Sequence, residues 1–374
     1  MLVRAPLVAS LLLLGVHAAP HPQPARAPRE VAGAGPVVGA EPAAWAQLRK
    51  PPRDWGRVAA AIDAFALVPN CHVIVGDESG ELFAHQKGSV GLDTEMRLYS
   101  ATKWVSAVAI VALVEDEEVP LSLEDLASAH LPFWTADPSD ARSRVTLRHL
   151  LGFVSGFSGG GSCAGLALPE CVQRTYETAS HTGVPGDTFV YNEVHIRLAA
   201  GVAVAAAGAP FVELVQRYVF DRVPGGMPAT RWGNTENPAA GAGLVSTPRD
   251  YSAFLRSYFT HEIVGESWRT EIETDQYPLA ERSASDGGWH YGLGNWFVCP
   301  EDVSEWDPRC AEEDVHMSGG AAGFRPLTDR RHGYYAQIAF EGIPGIGNGF
   351  TLQLYYAIKG LIDEQFAANA SIAH

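Results

Sequence analysis

Apolar residues recur along this chain with two periods. From Asp54 to Leu67 they fall at helical spacing (Trp55, Val58, Ala61, Ile62, Phe65), which predicts a helix. Cys71-His72-Val73-Ile74-Val75 and Glu81-Leu82-Phe83-Ala84-His85 read as strands. The polar Asp77-Glu78-Ser79-Gly80 between them predicts a hairpin turn. Val105 to Val114 is an unbroken apolar run rich in Ala, Val and Ile, ending in Glu115-Asp116-Glu117-Glu118. Its length predicts a buried helix.

The pattern changes over residues 119–242, which are helical and loop-rich with few strand signals. Thr146 opens a short helix over Val145–Leu151, and Val154 to Gly161 reads as a flexible loop. Arg197–Ala207 and Phe211–Phe220 read as helices. After Gly241–Thr247 another runs from Pro248 to about Phe259. Strand signals return over Trp289–Phe297, Gly320–Leu327 and Tyr334–Phe340, and a last helix spans about Thr351–Phe366. No internal repeat is visible.

Strands therefore come from both ends of the chain with a helical block between. That order predicts an α/β (α+β) fold in which an antiparallel sheet is flanked by terminal helices and carries an inserted all-helical lobe. The expected domain is 49–374, with a sheet lobe at about 55–118 and 243–374 and a helical lobe at about 119–242. The crevice between lobes is the expected binding site.

Composition narrows the function. The chain has 374 residues, a formal charge of −16 and a pI near 5.2, which disfavours nucleic acid and anionic membrane surfaces as partners. Arg4, the apolar run Leu7–Val16 and the small-residue site Val16-His17-Ala18 predict a signal peptide over 1–18 and a secreted protein. Residues 19–48, mostly Ala, Pro, Gly and Val, read as a disordered linker. No other stretch is long and apolar enough for a membrane helix, and Ser371–His374 shows no retention signal or lipid-anchor tail.

Five cysteines fit a secreted chain. Cys163 with Cys171 and Cys299 with Cys310 each have a spacing that could close a disulfide, leaving Cys71 single; connectivity stays open at this stage. The spacings do not match a zinc site. Asn369-Ala370-Ser371 is a glycosylation sequon.

The candidate chemistry sits before the apolar helix. Ser100 and Lys103 are three residues apart at its start, nearly one turn, so both side chains share a face. A serine hydroxyl is a weak nucleophile until a neighbour takes its proton. Lysine can do so when neutral, which burial favours. The helix N-terminus also aims backbone N–H groups at negative charge developing beside Ser100.

Several blocks then match a known family in order. Arg97-Leu98-Tyr99-Ser100-Ala101-Thr102-Lys103, Val119 to Asp125, Val145 to Phe157, Phe189-Val190-Tyr191, Gly241 to Asp250, Tyr291 to Trp296 and Gly319 to Phe324 resemble those of the β-lactamase-related serine hydrolases. These comprise class C β-lactamases, penicillin-binding proteins and esterases; the resemblance covers about residues 55 to 366. It implies that Ser100 is the nucleophile that becomes acylated. It further implies that Lys103 takes the Ser100 proton or tunes its neighbour, and that Tyr191 shuttles a proton to the leaving group. Backbone N–H groups of Ser100 and Gly320 would form the oxyanion hole.

Two departures bear on the substrate. Where the family pattern is Tyr-x-Asn, this chain reads Tyr191-Asn192-Glu193. Glu193 would repel anionic substrates and, if close, favour a charged Lys103; Asn192 replaces the missing amide only if the backbone shifts. The third motif, Lys-Thr-Gly or His-x-Gly in the family, reads Met317-Ser318-Gly319, with His316 one position early and so expected on the opposite face of its strand. Asn192, Glu193, Met317, Ser318 and Gly319 are thus the expected substrate-pocket residues. In penicillin-recognising members the third-motif cation engages the substrate carboxylate. Its loss favours neutral esters or amides, unless Arg148, His149 or Arg325 supplies a cation from elsewhere. The reading is a secreted, esterase-like serine hydrolase acting on a small-molecule ester or amide, with no metal or organic cofactor implied. A β-lactamase or D-amino-acid peptidase, and an inactive binding module, are the alternatives.

Overall fold

The computed structural model describes residues 53–276 and 289–367; the expected signal peptide, the linker and the Asn369 sequon lie outside the described residues. The first helix, α1 (Gly56–Ala64), buries Val58 and Ile62. It leads into the hairpin β1 (Cys71–Asp77) and β2 (Gly80–Lys87), paired antiparallel. β1 is buried from Cys71 to Gly76, as a central strand covered on both faces must be. β2 is the more exposed edge.

A two-residue strand, β3 (Met96–Arg97), precedes α2 (Thr102–Val114), and all thirteen residues of α2 are buried. Beyond Ser106 it has no polar residue on any side, the pattern of a helix surrounded by core. The helical block follows: α3 (Ala127–His130), α4 (Leu147–Leu151), α5 (Leu168–Thr178), α6 (Val194–Ala207) and α7 (Phe211–Tyr218). Thr146 caps α4 as expected, its hydroxyl accepting from His149 N while His149 Nδ1 accepts from Thr146 N. Two short strands, β4 (Phe157–Ser158) and β5 (Ser180–His181), pair within the block.

β6 (Arg231–Trp232) and β7 (Leu244–Ser246) join β3 in a three-stranded sheet ordered β3-β7-β6. Then come α8 (Pro248–Phe259), with Thr247 as cap and Pro248 at the first turn, and α9 (Glu266–Ile272). The chain returns to the main sheet through β8 (Trp296–Phe297), α10 (Pro308–Glu313), β9 (Val315–Met317), β10 (Arg325–Asp329) and β11 (Tyr334–Ala339). It ends in α11 (Gly347–Ala367).

The main sheet is antiparallel, six-stranded and ordered β2-β1-β11-β10-β9-β8, so the N-terminal hairpin pairs with the last strand. One apolar cluster surrounds α2 and fills the helical block; another lies between the sheet and the terminal helices α1 and α11.

Three expected elements fall differently. The strand read over Gly320–Leu327 is a turn followed by β10: Gly323 takes φ +113° and donates to Gly320 O at 2.9 Å, which ends pairing after Gly320. Only Trp296–Phe297 of the 289–297 stretch is a strand, with an isolated bridge at Tyr291. α11 starts at Gly347 rather than Thr351. Its first turn is Gly347-Asn348-Gly349, weak helix formers that hide the start. Gly347 is needed there because a Cβ would collide with the Ala322 carbonyl.

Candidate active site

Ser100 is delivered by a constrained turn. β3 pairs with β7 (Met96↔Ser246, Arg97↔Val245), and Leu98 N donates to Leu244 O at 2.9 Å. The chain then closes a 3-10 turn over Tyr99–Ala101, with Tyr99 held at φ +47°. A left-handed backbone costs a non-glycine residue roughly 1–2 kcal/mol, so the surrounding pairing must hold it. The segment 240–251 satisfies the polar groups of the helix start: Thr102 Oγ1 accepts from Leu244 N, Ser106 Oγ donates to Ala240 O, and Tyr251 Oη donates to Ala101 O.

Lys103 is 1% exposed and donates three hydrogen bonds: to Ser100 Oγ at 3.1 Å, Glu193 Oε1 at 2.5 Å and Gly241 O at 2.9 Å. These use all three donors of an ammonium. In this arrangement Lys103 gives a hydrogen bond to the serine and does not take one. Glu193 is 43% exposed and sits at the N-cap of α6, where a negative charge is favoured. Gly241 admits it: a Cβ there would overlap the Glu193 carboxylate.

Tyr191 presents its ring face to Lys103, with Nζ 5.0 Å from the centroid. The ring is wedged against Trp296 (5.0 Å), Phe153 (5.5 Å) and Tyr291 (5.9 Å). No hydrogen bond joins its hydroxyl to Ser100 or Lys103 among the described residues. Tyr291 is fully buried, and burial holds its phenol well above the ordinary range.

Ser100 and Tyr191 open into a cavity of about 580 Å³ that is also walled by Trp296, Met317, Arg325 and Tyr356. Four expectations about it need correction. Asn192 does not replace the lost amide: its Nδ2 donates to Phe157 O and its Oδ1 accepts from Val194 N, so its side chain is spent on opening α6. Gly320 is not an oxyanion donor, because its N–H goes to Phe324 O at 2.7 Å. Ser318 N likewise faces β10, donating to Pro326 O, so alternation turns the N–H of Gly319 to the opposite edge. Ser318 is buried and ties the strand to the nucleophile turn, its Oγ donating to Ser100 O at 3.0 Å.

The fourth concerns charge. Met317 and Gly319 do line the cavity, yet the wall beside them is cationic. Arg325, 2% exposed, reaches from β10 to Met317 Sδ (2.5 Å), Thr351 Oγ1 (3.2 Å) and the backbone and side-chain oxygens of Asn348 (2.5 and 2.6 Å). No carboxylate pairs with it among the described residues, and burial pulls its guanidinium down to about 10, still charged at neutral pH. Arg148 and His149 do not reach the cavity: Arg148 pairs with Glu124 and Glu271, and His149 caps α4. His316 points away, held by Asn295 Oδ1 and Asp314 Oδ1.

Sequence reasoning named Arg325 without placing it, and missed Asn348 and Tyr356 altogether. Tyr356 sits in the expected last helix, where its spacing reads as core, and Asn348 lies before that helix as the sequence bounds it, so neither carried a signal for the cavity. Away from the cavity, Asp329, His332 and Asp363 offer ligand atoms within 4.8 Å of one another. Lys359 already bonds Asp329 (3.1 Å) and Asp363 (2.7 Å), an ammonium in the place a cation would take.

A family model described as Beta-lactamase matches residues 57–324. No curated protein matches. Among solved structures, a beta-lactamase from Mycobacterium bovis is similar at 20% identity and TM-score 0.61, over 82% of this chain and 99% of that one. EstCE1, a hydrolase with promiscuous acyltransferase activity, is similar at 17% identity and TM-score 0.66 (81% and 97%). A D-stereospecific amidohydrolase from Streptomyces sp. is similar at 18% identity and TM-score 0.61 (81% and 98%). At these identities the likeness is one of fold.

Proposed function

The chain belongs to the beta-lactamase family, and from that premise we propose that it is a secreted serine hydrolase in which Ser100 forms an acyl-enzyme with an ester or amide substrate. The observation that carries this reading is the 3.1 Å contact between Ser100 Oγ and Lys103 Nζ at a wall of the cavity. In acylation Oγ attacks the substrate carbonyl carbon and the bond to the leaving alcohol or amine breaks. Water then attacks the ester and releases Ser100. The N–H of Ser100, in the 3-10 turn that leads into α2, and that of Gly319 are the donors assigned to the oxyanion. Tyr191, facing the same cavity, is assigned to the leaving group.

Secretion draws support from two disulfides, Cys163–Cys171 and Cys299–Cys310, which persist in oxidising compartments. Mass analysis of the exported protein should find it beginning at Ala19.

The test of activity is a labelled fluorophosphonate. Wild type should be labelled and Ser100→Ala should not. Absence of labelling on folded wild type between about pH 6 and 9 would favour a binding module instead.

A second reading rests on Arg325. A buried guanidinium that no carboxylate pairs with among the described residues is costly unless an anion arrives to pair with it. It favours substrates carrying a carboxylate near the scissile bond, the class of β-lactams and D-amino-acid peptides. A chromogenic cephalosporin against a short-chain nitrophenyl ester separates the readings. Loss of cephalosporin turnover in Arg325→Gln, with ester turnover kept, would support the second.

A further inference from the structure

Glu193 stands where the resemblance calls for an amide, and three observations set it apart from a pocket-lining side chain. Its Oε1 is 2.5 Å from Lys103 Nζ, which itself lies 3.1 Å from the Ser100 hydroxyl, so one ammonium bridges nucleophile and carboxylate. The bridge is buried at the lysine and open at the glutamate, with 1% and 43% exposure. Glycine at 241 leaves room for the carboxylate, and the same residue's carbonyl fixes the third ammonium proton at 2.9 Å.

We propose that Glu193 is the solvent-facing station of a proton relay that begins at Ser100 and passes through Lys103. The inference rests on the acyl-enzyme reading above. Glu193 Oε1 takes one proton from the ammonium, leaving a neutral amine. The amine takes the Ser100 hydroxyl proton as Oγ bonds the carbonyl carbon. When the bond to the leaving group breaks, Tyr191 gives its phenol proton to the departing oxygen or nitrogen and the reformed ammonium restores it. Protonated Glu193 then returns its proton to the amine. The serine proton ends on the leaving group and the pair returns to ammonium and carboxylate. A lysine fully engaged in an ion pair is thereby made available as a base without being stored neutral.

Among the described residues, four charged or titratable groups act on Glu193 or lie beside it. Lys103 faces it from α2; Tyr191 precedes it in the chain; Tyr291 adjoins it from the segment before β8. Arg197, one turn on in α6, is partly held charged by Glu193 against burial, and donates to Thr175 Oγ1. Lys103 is the one of these bonded to the carboxylate.

Glu193→Gln, in the full chain, keeps the shape and removes the proton acceptor. Expected are a roughly 10²-fold fall in kcat for a nitrophenyl ester and in fluorophosphonate labelling rate, with KM little changed. The acid limb of the kcat/KM profile should also disappear, because that limb reports the protonation that disables the acceptor. Glu193→Asp should restore part of the rate and the limb. Gly241→Ala tests the relay from the other side by displacing the carboxylate without removing it, and should show the same loss; it stands in should Glu193→Gln fail to fold. Wild-type rate and profile in whichever of Glu193→Gln and Gly241→Ala folds would overturn the relay and leave Glu193 a counter-ion, and a faster variant would show that the ion pair restrains Lys103. An unlabelled, folded wild type would instead sink the acyl-enzyme reading itself.

Discussion

His195 is a fully buried imidazole in the helical block. Its Nδ1 lies 2.8 Å from Ser155 Oγ and its ring stacks on Phe153 at 5.0 Å. Burial carries its pKa from 6.5 down to about 3. A base with a depressed folded value binds its proton in the unfolded chain first. It therefore contributes stability that is complete above about 6.5 and is lost as pH falls toward 3, at up to ~1.4 kcal/mol per pH unit. Urea midpoints should drop between about pH 7 and 5, and should drop less in a His195→Phe, Ser155→Ala variant, which removes both polar partners. Equal slopes would mean that the imidazole titrates inside the fold. Arg325 shows the opposite case at the same scale: it keeps its charge in the interior because neutral oxygens of Asn348 and Thr351 solvate it, and the cavity it faces is where its counter-ion would come from.

At the scale of elements, α5 and α6 meet through a glycine. A Cβ on Gly201 would lie 2.5 Å from Val172 Cγ1, and both chains are buried there. Gly201→Ala removes the helix penalty of glycine, worth about 1 kcal/mol, yet overpacks a contact with no flexible side-chain end to yield. The second effect should win, lowering stability by about 1–3 kcal/mol in urea unfolding; a stabilised variant would show that Val172 changes rotamer freely. Helices were the most legible elements. The Pro248–Phe259 boundaries follow from the Thr247 cap and Pro248, and the length of α2 follows from its unbroken apolar run. The strands after residue 289 were less so. Their pairing is short, and glycines that look like strand punctuation belong to turns.

At the scale of the molecule, the disulfide Cys299–Cys310 closes the segment that carries Glu301 and Val303 into the cavity wall and leads through α10 into β9. Closing so short a loop contributes roughly 2–3 kcal/mol on the chain-entropy model. The pair Cys163–Cys171 lies in the helical block, and no residue between its cysteines lines that cavity. A Cys299→Ser, Cys310→Ser variant should therefore lose turnover while still folded, whereas Cys163→Ser, Cys171→Ser should lose stability and keep its rate per folded molecule. Circular dichroism melts alongside ester kinetics check both, and equal kinetic losses would remove the link between the 299–310 loop and the cavity.

By itself the sequence determined the helices with a long apolar run or a clear cap, though not Leu168–Thr178 or Glu266–Ile272, that strands from both ends share one antiparallel sheet, and that Ser100 and Lys103 lie on one helical face. These follow from local periodicity, caps and a three-residue spacing, all properties of neighbours in the chain. Residue identity also showed that an acid replaces the amide after Tyr191 and that Met317 stands where a cation is usual. Only the tertiary structure decided what those changes mean. It brings Glu193 onto Lys103 across ninety positions of sequence, spends the N–H of Gly320 on the turn before β10, and swings Arg325 from the neighbouring strand to the side of Met317. The physical reason is that hydrogen bonds and charge pairing are settled between segments far apart in the chain. A side chain's type is written at its own position, but its partner is chosen by packing.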